Sequence, residues 1–255
     1  MPLIVFELDN RILNVALNRV SALNAVNSDL LKELEAGLKT YADNPNIAAL
    51  KLYGQGGCFS AGADIKELAG LDEQGIRFFH GLRERTFARL EHFPAPTIAV
   101  IEKYALGTGL ELALCCDFRI AADTAKLGVP SARLGIVESY EYMARLMRAV
   151  GPFQAKKIIF TAEKIDAAPA LSMGLVEEIV PPDNLLSRAA TLLERVSDNS
   201  IYSLRHSKKV IEECGRDPNL SGVKDTAAPM VKSIKTSDFK EGVQSFLNKR
   251  QAKFK

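Results

Sequence analysis

Two glycine-rich segments of the sequence could place main-chain N–H groups against a bound oxygen atom. Residues 56–64 read GGCFSAGAD, and residues 105–111 read ALGTGLE. Each follows a strand-like segment and precedes a helix-like one. Small residues let a ligand approach the main chain closely, and the first N–H groups of a helix have no partner within the helix. Because a helix N-terminus also carries partial positive charge, the two segments predict a site for an oxyanion.

Glu111, at the end of the second segment, is the best-placed side chain for proton transfer. Leu110 and Leu112 flank it. Apolar surroundings would raise the pKa of Glu111 by desolvation, which suits an acid or base working near pH 7. A dinucleotide or P-loop site is not supported, because Leu112 stands where a third glycine would be and no Gly-Lys-Ser/Thr end follows.

The remaining pattern predicts a mixed α/β body with a helical C-terminal part. We expect an opening hairpin over 3–8 and 12–17, strands over 47–53, 97–101, 118–121 and 176–180, and helices over 28–41, 74–92 and 110–116, with mostly helix after residue 140. Asn27 or Ser28 is the expected N-cap of the first helix. In this order each glycine-rich segment joins a strand to a helix.

Composition excludes several classes of protein. Hydrophobic residues make up 47% and charged residues 25% of 255 positions, as in folded proteins. A formal net charge of +2, spread along the chain, argues against nucleic-acid or membrane partners. No targeting segment is visible, no stretch approaches about 18 apolar residues, and the four cysteines lack C-x-x-C spacing, so we expect a cytoplasmic protein with reduced thiols. No His/Cys/Asp spacing predicts a metal, and the three histidines are interpreted as surface or packing residues.

Four motifs, in order along nearly the whole chain, resemble those of the crotonase superfamily, the enoyl-CoA hydratase/isomerase family. They are residues 17–19 with 24–27 (LNR, NAVN), 60–67 (SAGADIKE), 107–117 (GTGLELALCCD) and 238–250 (DFKEGVQSFLNKR). The resemblance implies a spiral of strand-strand-helix units over residues 1–183 and a helical oligomerisation segment over 184–255. It also implies a homotrimer or dimer of trimers acting on an acyl-CoA thioester, with no cofactor beyond the coenzyme A of the substrate.

Residue by residue, the resemblance implies that the N–H groups of Ala63 and Thr108 bind the thioester oxygen. It also implies that Ala61, Asp64 and Ile65 contact the adenine through their main chain. Lys66 and a neighbouring subunit's Lys249 are candidates for binding phosphates, and Ala22 and Leu23 stand where relatives often carry a basic residue. Phe246 of the C-terminal motif and Tyr140, in the acyl pocket, are the remaining predicted substrate contacts. Among these, the paired main-chain donors carry the prediction.

The sequence departs from the family at the second of two catalytic glutamates. One glutamate polarises the added water and the other exchanges the α-proton; Glu111 matches the first, whereas Ser131 occupies the second position. A hydroxyl is not a general base near neutral pH without help. We hypothesise that Glu138, in a loop that also differs from the family, replaces the missing partner. Alternatively, Glu138 and Glu141 are solvated charges at a helix start.

These residues favour an enoyl-CoA hydratase or isomerase that works through a thioester enolate. Loss of the second glutamate raises two alternatives: decarboxylation or thioester hydrolysis on the same fold, and a CoA-binding paralogue with little catalysis. RNA binding, known for some relatives, is disfavoured because no basic stripe with interleaved aromatic residues is present.

Overall fold

The chain opens with an antiparallel hairpin, as predicted. In the computed structural model, which describes residues 1–254, β1 (Ile4–Asp9) pairs with β2 (Ile12–Leu17) so that Asp9 lies opposite Ile12. The two turn residues, Asn10 and Arg11, have φ of 44° and 70°. Positive φ at both central positions matches the twist of a two-residue hairpin.

The hairpin forms one edge of a six-stranded sheet. Its other strands are β3 (Ala49–Gly54), β4 (Thr97–Ile101), β6 (Phe118–Ala122) and β9 (Glu178–Val180), and the order is β1-β2-β3-β4-β6-β9. Every pair after the hairpin is parallel. Parallel strands need crossover connections, and buried ones read as continuous apolar runs, as in β4, where all five residues are buried.

A second, three-stranded sheet carries one of the glycine-rich segments. It contains β5 (Tyr104–Leu106), β7 (Lys126–Gly128) and β8 (Ile165–Asp166) in the order β5-β7-β8. β5 leads directly through Gly107 into a short buried helix, α4 (Thr108–Leu114). The sheet therefore fixes where α4 begins.

The remaining helices cover the main sheet and build the C-terminal part. They are α1 (Ser28–Ala42), α2 (Ile65–Ala69), α3 (Glu73–Glu91), α5 (Tyr140–Thr161), α6 (Ala167–Met173), α7 (Pro182–Ser197), α8 (Ile201–Arg216), α9 (Ala228–Ser233) and α10 (Ser237–Leu247). Asn27 is the N-cap of α1, its Oδ1 accepting from Leu30 N at 2.9 Å. None of the helices in residues 1–254 is both long and apolar enough to cross a membrane.

The predicted mixed α/β class is confirmed, and the differences are local. β3 begins two residues later than predicted, and the strand expected over 176–180 is three residues long. α4 begins two residues earlier because Glu111 N donates to Gly107 O at 3.1 Å, which adds a turn at its N-terminus. The boundary at residues 183 and 184 falls within the first turn of α7, and that division stays a prediction.

Candidate active site

The two glycine-rich segments lie side by side. Ser60 N donates to Tyr104 O at 2.8 Å, and Leu106 N donates to Ser60 O at 3.2 Å. A Cβ on Gly109 would lie 2.7 Å from Ser60 O, and one on Gly62, where φ is +111°, would lie 2.8 Å from Leu106 O. Both distances are too short for a side chain, so glycine is what permits this approach.

The N–H groups of Ala63 and Thr108 are both unpaired at this junction. Val26 holds the chain on either side of Ala63: its N–H donates to Gly62 O at 2.7 Å, and its carbonyl accepts from Asp64 N at 2.8 Å. Thr108 is the first residue of α4, and the positive φ of +48° falls on Gly107 before it. Neither N–H donates to an acceptor within residues 1–254.

Both residues line one small cavity of about 120 Å³. Its other lining residues are Ala61, Ile65, Leu68, Phe79, Arg83, Gly107, Pro130, Ser131, Leu134, Ile136 and Glu138. The cavity therefore collects two free main-chain donors, a hydroxyl, a carboxyl and a guanidinium in mostly apolar walls. In such surroundings electrostatic interactions are stronger than in water.

Glu111 does not line this cavity itself but contacts Arg83, which does, and the Glu111 side chain is 0% exposed. Its Oε1 accepts from Arg145 Nη1 at 3.0 Å, and its Oε2 lies 3.4 Å from Arg83 Nε. Burial raises the pKa of Glu111 to about 8, opposed by Arg83 and Arg145 and reinforced by Glu84 and Glu138. Glu111 is therefore mostly protonated at pH 7, the direction predicted from its apolar neighbours.

Two arginines that sequence reasoning missed hold this glutamate. Arg83 comes from α3 and Arg145 from α5, and both are buried. Glu84 bridges them, accepting from Arg145 Nη1 at 2.9 Å and from Arg83 Nη2 at 3.1 Å. Burial alone would raise the pKa of Glu84, but its hydrogen bonds and ion pairs with Arg145 and Arg83 hold that pKa below its ordinary value.

Ser131 and Glu138 line the same cavity. Ser131 Oγ donates to Glu138 Oε1, and Glu138 Oε2 lies 4.0 Å from Arg83 Nη1. The Glu138 side chain is 9% exposed, whereas Glu141 is exposed to solvent. Glu138 therefore lines the cavity and acts on the charge of Glu111, whereas Glu141 lies in the first turn of α5.

The small cavity opens into a groove of about 680 Å³ between α2, α3 and the loop before α5. The groove walls are largely apolar, and Ile65, Leu68, Phe79, Leu134 and Ile136 line both spaces. Tyr140 stands at the groove but is 93% exposed. His80, interpreted from the sequence as a surface or packing residue, also lines the groove, 4.0 Å from Glu84 Oε1.

Of the other predicted contact residues, Ala61 and Ile65 line the cavity and the rest lie outside it. Asp64 caps α2, accepting from Lys66 N at 3.0 Å, and pairs with Arg19 at 2.6 Å. The N–H groups of Ala61 and Asp64 already donate, to Leu23 O and Val26 O, so neither can donate to an adenine. Ala22, next to Leu23, lies in a 3-10 turn before α1. Phe246 and Lys249, at the end of α10, line neither cavity nor groove.

Comparison with known proteins decides the family. The sequence model for enoyl-CoA hydratase/isomerase matches residues 7–255. The chain belongs to the enoyl-CoA hydratase/isomerase family. It is 36% identical over 252 residues to crotonyl-CoA hydratase of Syntrophomonas wolfei, covering 98% of this chain and 97% of that one. It is 33% identical over 255 residues to 2,3-dehydroadipyl-CoA hydratase of Escherichia coli, covering 100% and 99%.

The fold agrees with that assignment. A crystal structure of enoyl-CoA hydratase from Bacillus anthracis superposes with a TM-score of 0.94 at 34% identity, covering 99% of both chains. The predicted crotonase-like fold class is thus confirmed, and the chain is an enzyme of the hydratase/isomerase type. Within this family member, Glu111 and Glu138 lie on either side of Arg83.

Proposed function

We propose that this enzyme binds an enoyl-CoA thioester with its carbonyl oxygen between the N–H groups of Ala63 and Thr108. The observation that supports it is that both N–H groups lack a protein acceptor within residues 1–254 and line one cavity. Two fixed donors stabilise the enolate that forms when C2 or C3 of a thioester reacts, and removing one such donor typically costs about 2.7–4 kcal/mol. Relatives named as hydratases of crotonyl-CoA and 2,3-dehydroadipyl-CoA support the substrate class.

The reaction that fits these groups best is reversible hydration. Hydration needs one group that takes a proton from water and one that gives a proton to C2. Glu111, with a pKa of about 8, enters protonated and can give its proton. Glu138 then takes the proton of water, oriented by the hydroxyl of Ser131. In this proposal Glu111 donates the proton to C2, whereas the family resemblance implies that Glu111 polarises the added water.

Hydration of crotonyl-CoA by single variants tests these roles. We expect Glu138→Gln to lower kcat by roughly 10²–10⁴-fold, because general base catalysis is worth that much. Glu141→Gln, three residues further on and exposed, is the matched control and should leave kcat unchanged. An unchanged rate in Glu138→Gln would remove Glu138 from the mechanism.

Isotope exchange separates the two glutamates. Glu111→Gln should abolish exchange of the C2 protons of butyryl-CoA with deuterium oxide, whereas Glu138→Gln should retain it. The opposite result would return the two residues to the roles that the resemblance implies. Exchange lost in both variants would mean that the pair acts as one unit.

Double-bond isomerisation is the second candidate, and Ser131 at the position of the second family glutamate favours it, since a single carboxyl can move a proton between carbons. A panel of crotonyl-CoA, a 3-enoyl-CoA and a malonyl-type CoA, with products identified by mass spectrometry, distinguishes hydration, isomerisation, and decarboxylation or hydrolysis. Turnover of none, with tight binding of acetyl-CoA, would instead identify a CoA-binding paralogue.

We also propose that residues 184–255 assemble the chain into a trimer or dimer of trimers in the cytoplasm. Apolar side chains of α10 support this assignment, since Phe246 is 84% and Leu247 72% exposed. Large exposed apolar surface commonly marks a protein interface. Light scattering of the purified chain should give a mass three or six times 27.9 kDa, and a monomer at micromolar concentration would contradict the proposal.

A further inference from the structure

One nitrogen of the Arg83 guanidinium lies at ion-pair distance from Glu138 but has no hydrogen-bond acceptor within residues 1–254. Its Nε and Nη2 donate to Glu84 Oε1 at 3.3 and 3.1 Å, and Nε also lies 3.4 Å from Glu111 Oε2. Its Nη1 donates no hydrogen bond within residues 1–254, and Glu138 Oε2, at 4.0 Å, is beyond hydrogen-bonding distance. A guanidinium carries five donors, so the free N–H groups of Nη1 can bind an acceptor in the cavity that Arg83 lines.

The position of that nitrogen relates it to the reacting atoms. Arg83 lines the small cavity together with Ala63 and Thr108, and the carboxyls of Glu111 and Glu138 flank it. A thioester whose carbonyl lay between the two main-chain N–H groups would have its acyl carbons in this cavity, which Arg83, Ser131 and Glu138 also line. An oxygen on C3 would then share the cavity with the Arg83 guanidinium.

We propose that Arg83 Nη1 binds the oxygen at C3 of the acyl group, both the water that adds to the enoyl thioester and the hydroxyl of the 3-hydroxyacyl product. This inference rests on the proposed function. During addition, the oxygen of water forms a bond to C3 and one of its protons passes to Glu138. The electron pair of the C2–C3 double bond moves into the enolate, and C2 then receives the proton of Glu111.

Arg83 keeps its charge throughout this sequence. In the addition reaction, the positive charge of Arg83 favours loss of a proton from water. In the reverse reaction, its N–H groups hold the departing oxygen until Glu138 returns the proton. Hydrogen bonds to a charged donor are stronger than neutral ones, so the contact should be measurable in binding alone.

Arg145 provides the matched control for a purely structural role. Its side chain is as buried as that of Arg83 and it also pairs with Glu84 and Glu111, but its Nε binds Glu91 at 3.0 Å and it lines neither cavity nor groove. If holding the glutamates in place were the whole function of these arginines, replacing either arginine would change ligand affinity to the same extent.

The test compares dissociation constants of 3-hydroxybutyryl-CoA and butyryl-CoA, measured by calorimetry at pH 6.5 for the wild type, Arg83→Met and Arg145→Met. At that pH Glu111 is protonated in all three proteins, because the charges of Arg83 and Arg145 lower the pKa of Glu111 and losing either raises it. We expect Arg83→Met to reduce the preference for the hydroxylated ligand by about 10-fold or more. Arg145→Met should retain it.

Equal preference in wild type and Arg83→Met, or an equal loss in both variants, would overturn the inference while leaving the proposed function intact. Failure of the wild type to bind butyryl-CoA would instead overturn the proposed function. Arg83→Lys covers the case in which Arg83→Met does not fold. Its single ammonium cannot bind Glu84 and reach the position of Nη1 at once, so the preference should again be lost.

Discussion

Replacing Glu111 by glutamine should make the stability of this protein less dependent on pH. Glutamine has nearly the shape of a protonated glutamate, and its oxygen can still accept from Arg145. It cannot ionise. The substitution therefore removes the cost of a buried carboxylate at high pH without creating a cavity, at a site where the wild-type side chain is fully buried.

The size of the effect follows from the pKa of Glu111, which burial raises from 4.5 to about 8. Between those values the folded protein retains a proton that the unfolded chain releases, so stability falls as pH rises. Each pKa unit corresponds to roughly 1.4 kcal/mol, giving about 5 kcal/mol over the whole interval. The stabilisation that the folded protein gains by keeping Glu111 protonated is fully present below pH 4.5 and is lost once pH exceeds about 8. From pH 5.5 to 8.5 the expected change is therefore about 3 kcal/mol.

Urea denaturation at pH 5.5, 6.5, 7.5 and 8.5 measures this change, with both proteins at one concentration because assembly shifts apparent stability. The quantity of interest is the free energy of unfolding of Glu111→Gln minus that of wild type. A constant offset reports packing and lost ion pairs, whereas its slope reports titration of the carboxyl. We expect the difference to rise with pH. A flat difference over this range, or one that falls, would refute the assignment of Glu111 as a protonated acid.

Two further predictions concern the groups around that carboxyl. Activity that depends on protonated Glu111 should decline above about pH 8. The pH at which kcat/KM declines should rise in Arg145→Met and fall in Glu84→Gln. Shifts of the same sign in the two variants would contradict the electrostatic reasoning. Gly109→Ala should lower kcat/KM on crotonyl-CoA by about 10²-fold by displacing one main-chain donor. Gly215→Ala, in α8 with no heavy atom within 4 Å of the added Cβ, is its control and should retain full activity.

Periodicity predicted the long elements of the fold because their buried faces repeat over several turns. The helix predicted over 28–41 is α1, which buries Leu30, Leu31, Leu34 and Leu38. The helix predicted over 74–92 is α3, displaced by one residue at each end. The strands of the second sheet are two or three residues long, too short to show an alternation, so β5, β7 and β8 were not predicted.

The main-chain donors and the two glutamates of the site were anticipated from the sequence, but the arginines that hold the glutamates were not. Glycines at fixed positions before a helix are a local signal for an oxyanion site, the family resemblance named Ala63 and Thr108 as donors, and both residues line one cavity. The ion pairs of Arg145, by contrast, join residues 34 and 61 positions apart. One local signal was available: Arg83 lies on the same helical face as Leu82 and Phe87, where a charge requires a buried partner.

The charge balance of this cluster explains why Glu111 is the group that keeps a proton. Glu91, which also binds Arg145, is balanced by its pair with Arg148. Arg83 and Arg145 then contribute two positive charges, and Glu84, Glu111 and Glu138 three negative ones when ionised, which leaves one negative charge in excess. Buried excess charge is costly, so one carboxyl must be neutral. Glu84 pairs with both arginines, and Glu138 is partly exposed and accepts from a hydroxyl. Glu111 is the most buried of the three and takes the proton.

A neutral cluster also suits the enolate. In the proposed reaction, a thioester bound at Ala63 and Thr108 becomes an enolate, which would add one negative charge to the site. If all three carboxyls were ionised, their net negative charge would oppose that step through low-dielectric surroundings. With Glu111 protonated the arriving charge meets a balanced set of groups, and donating that proton to C2 removes the enolate charge and returns the negative charge to Glu111. In the proposed reaction the two free main-chain donors thus stabilise the enolate charge when it forms, and the proton that burial keeps on Glu111 then neutralises it.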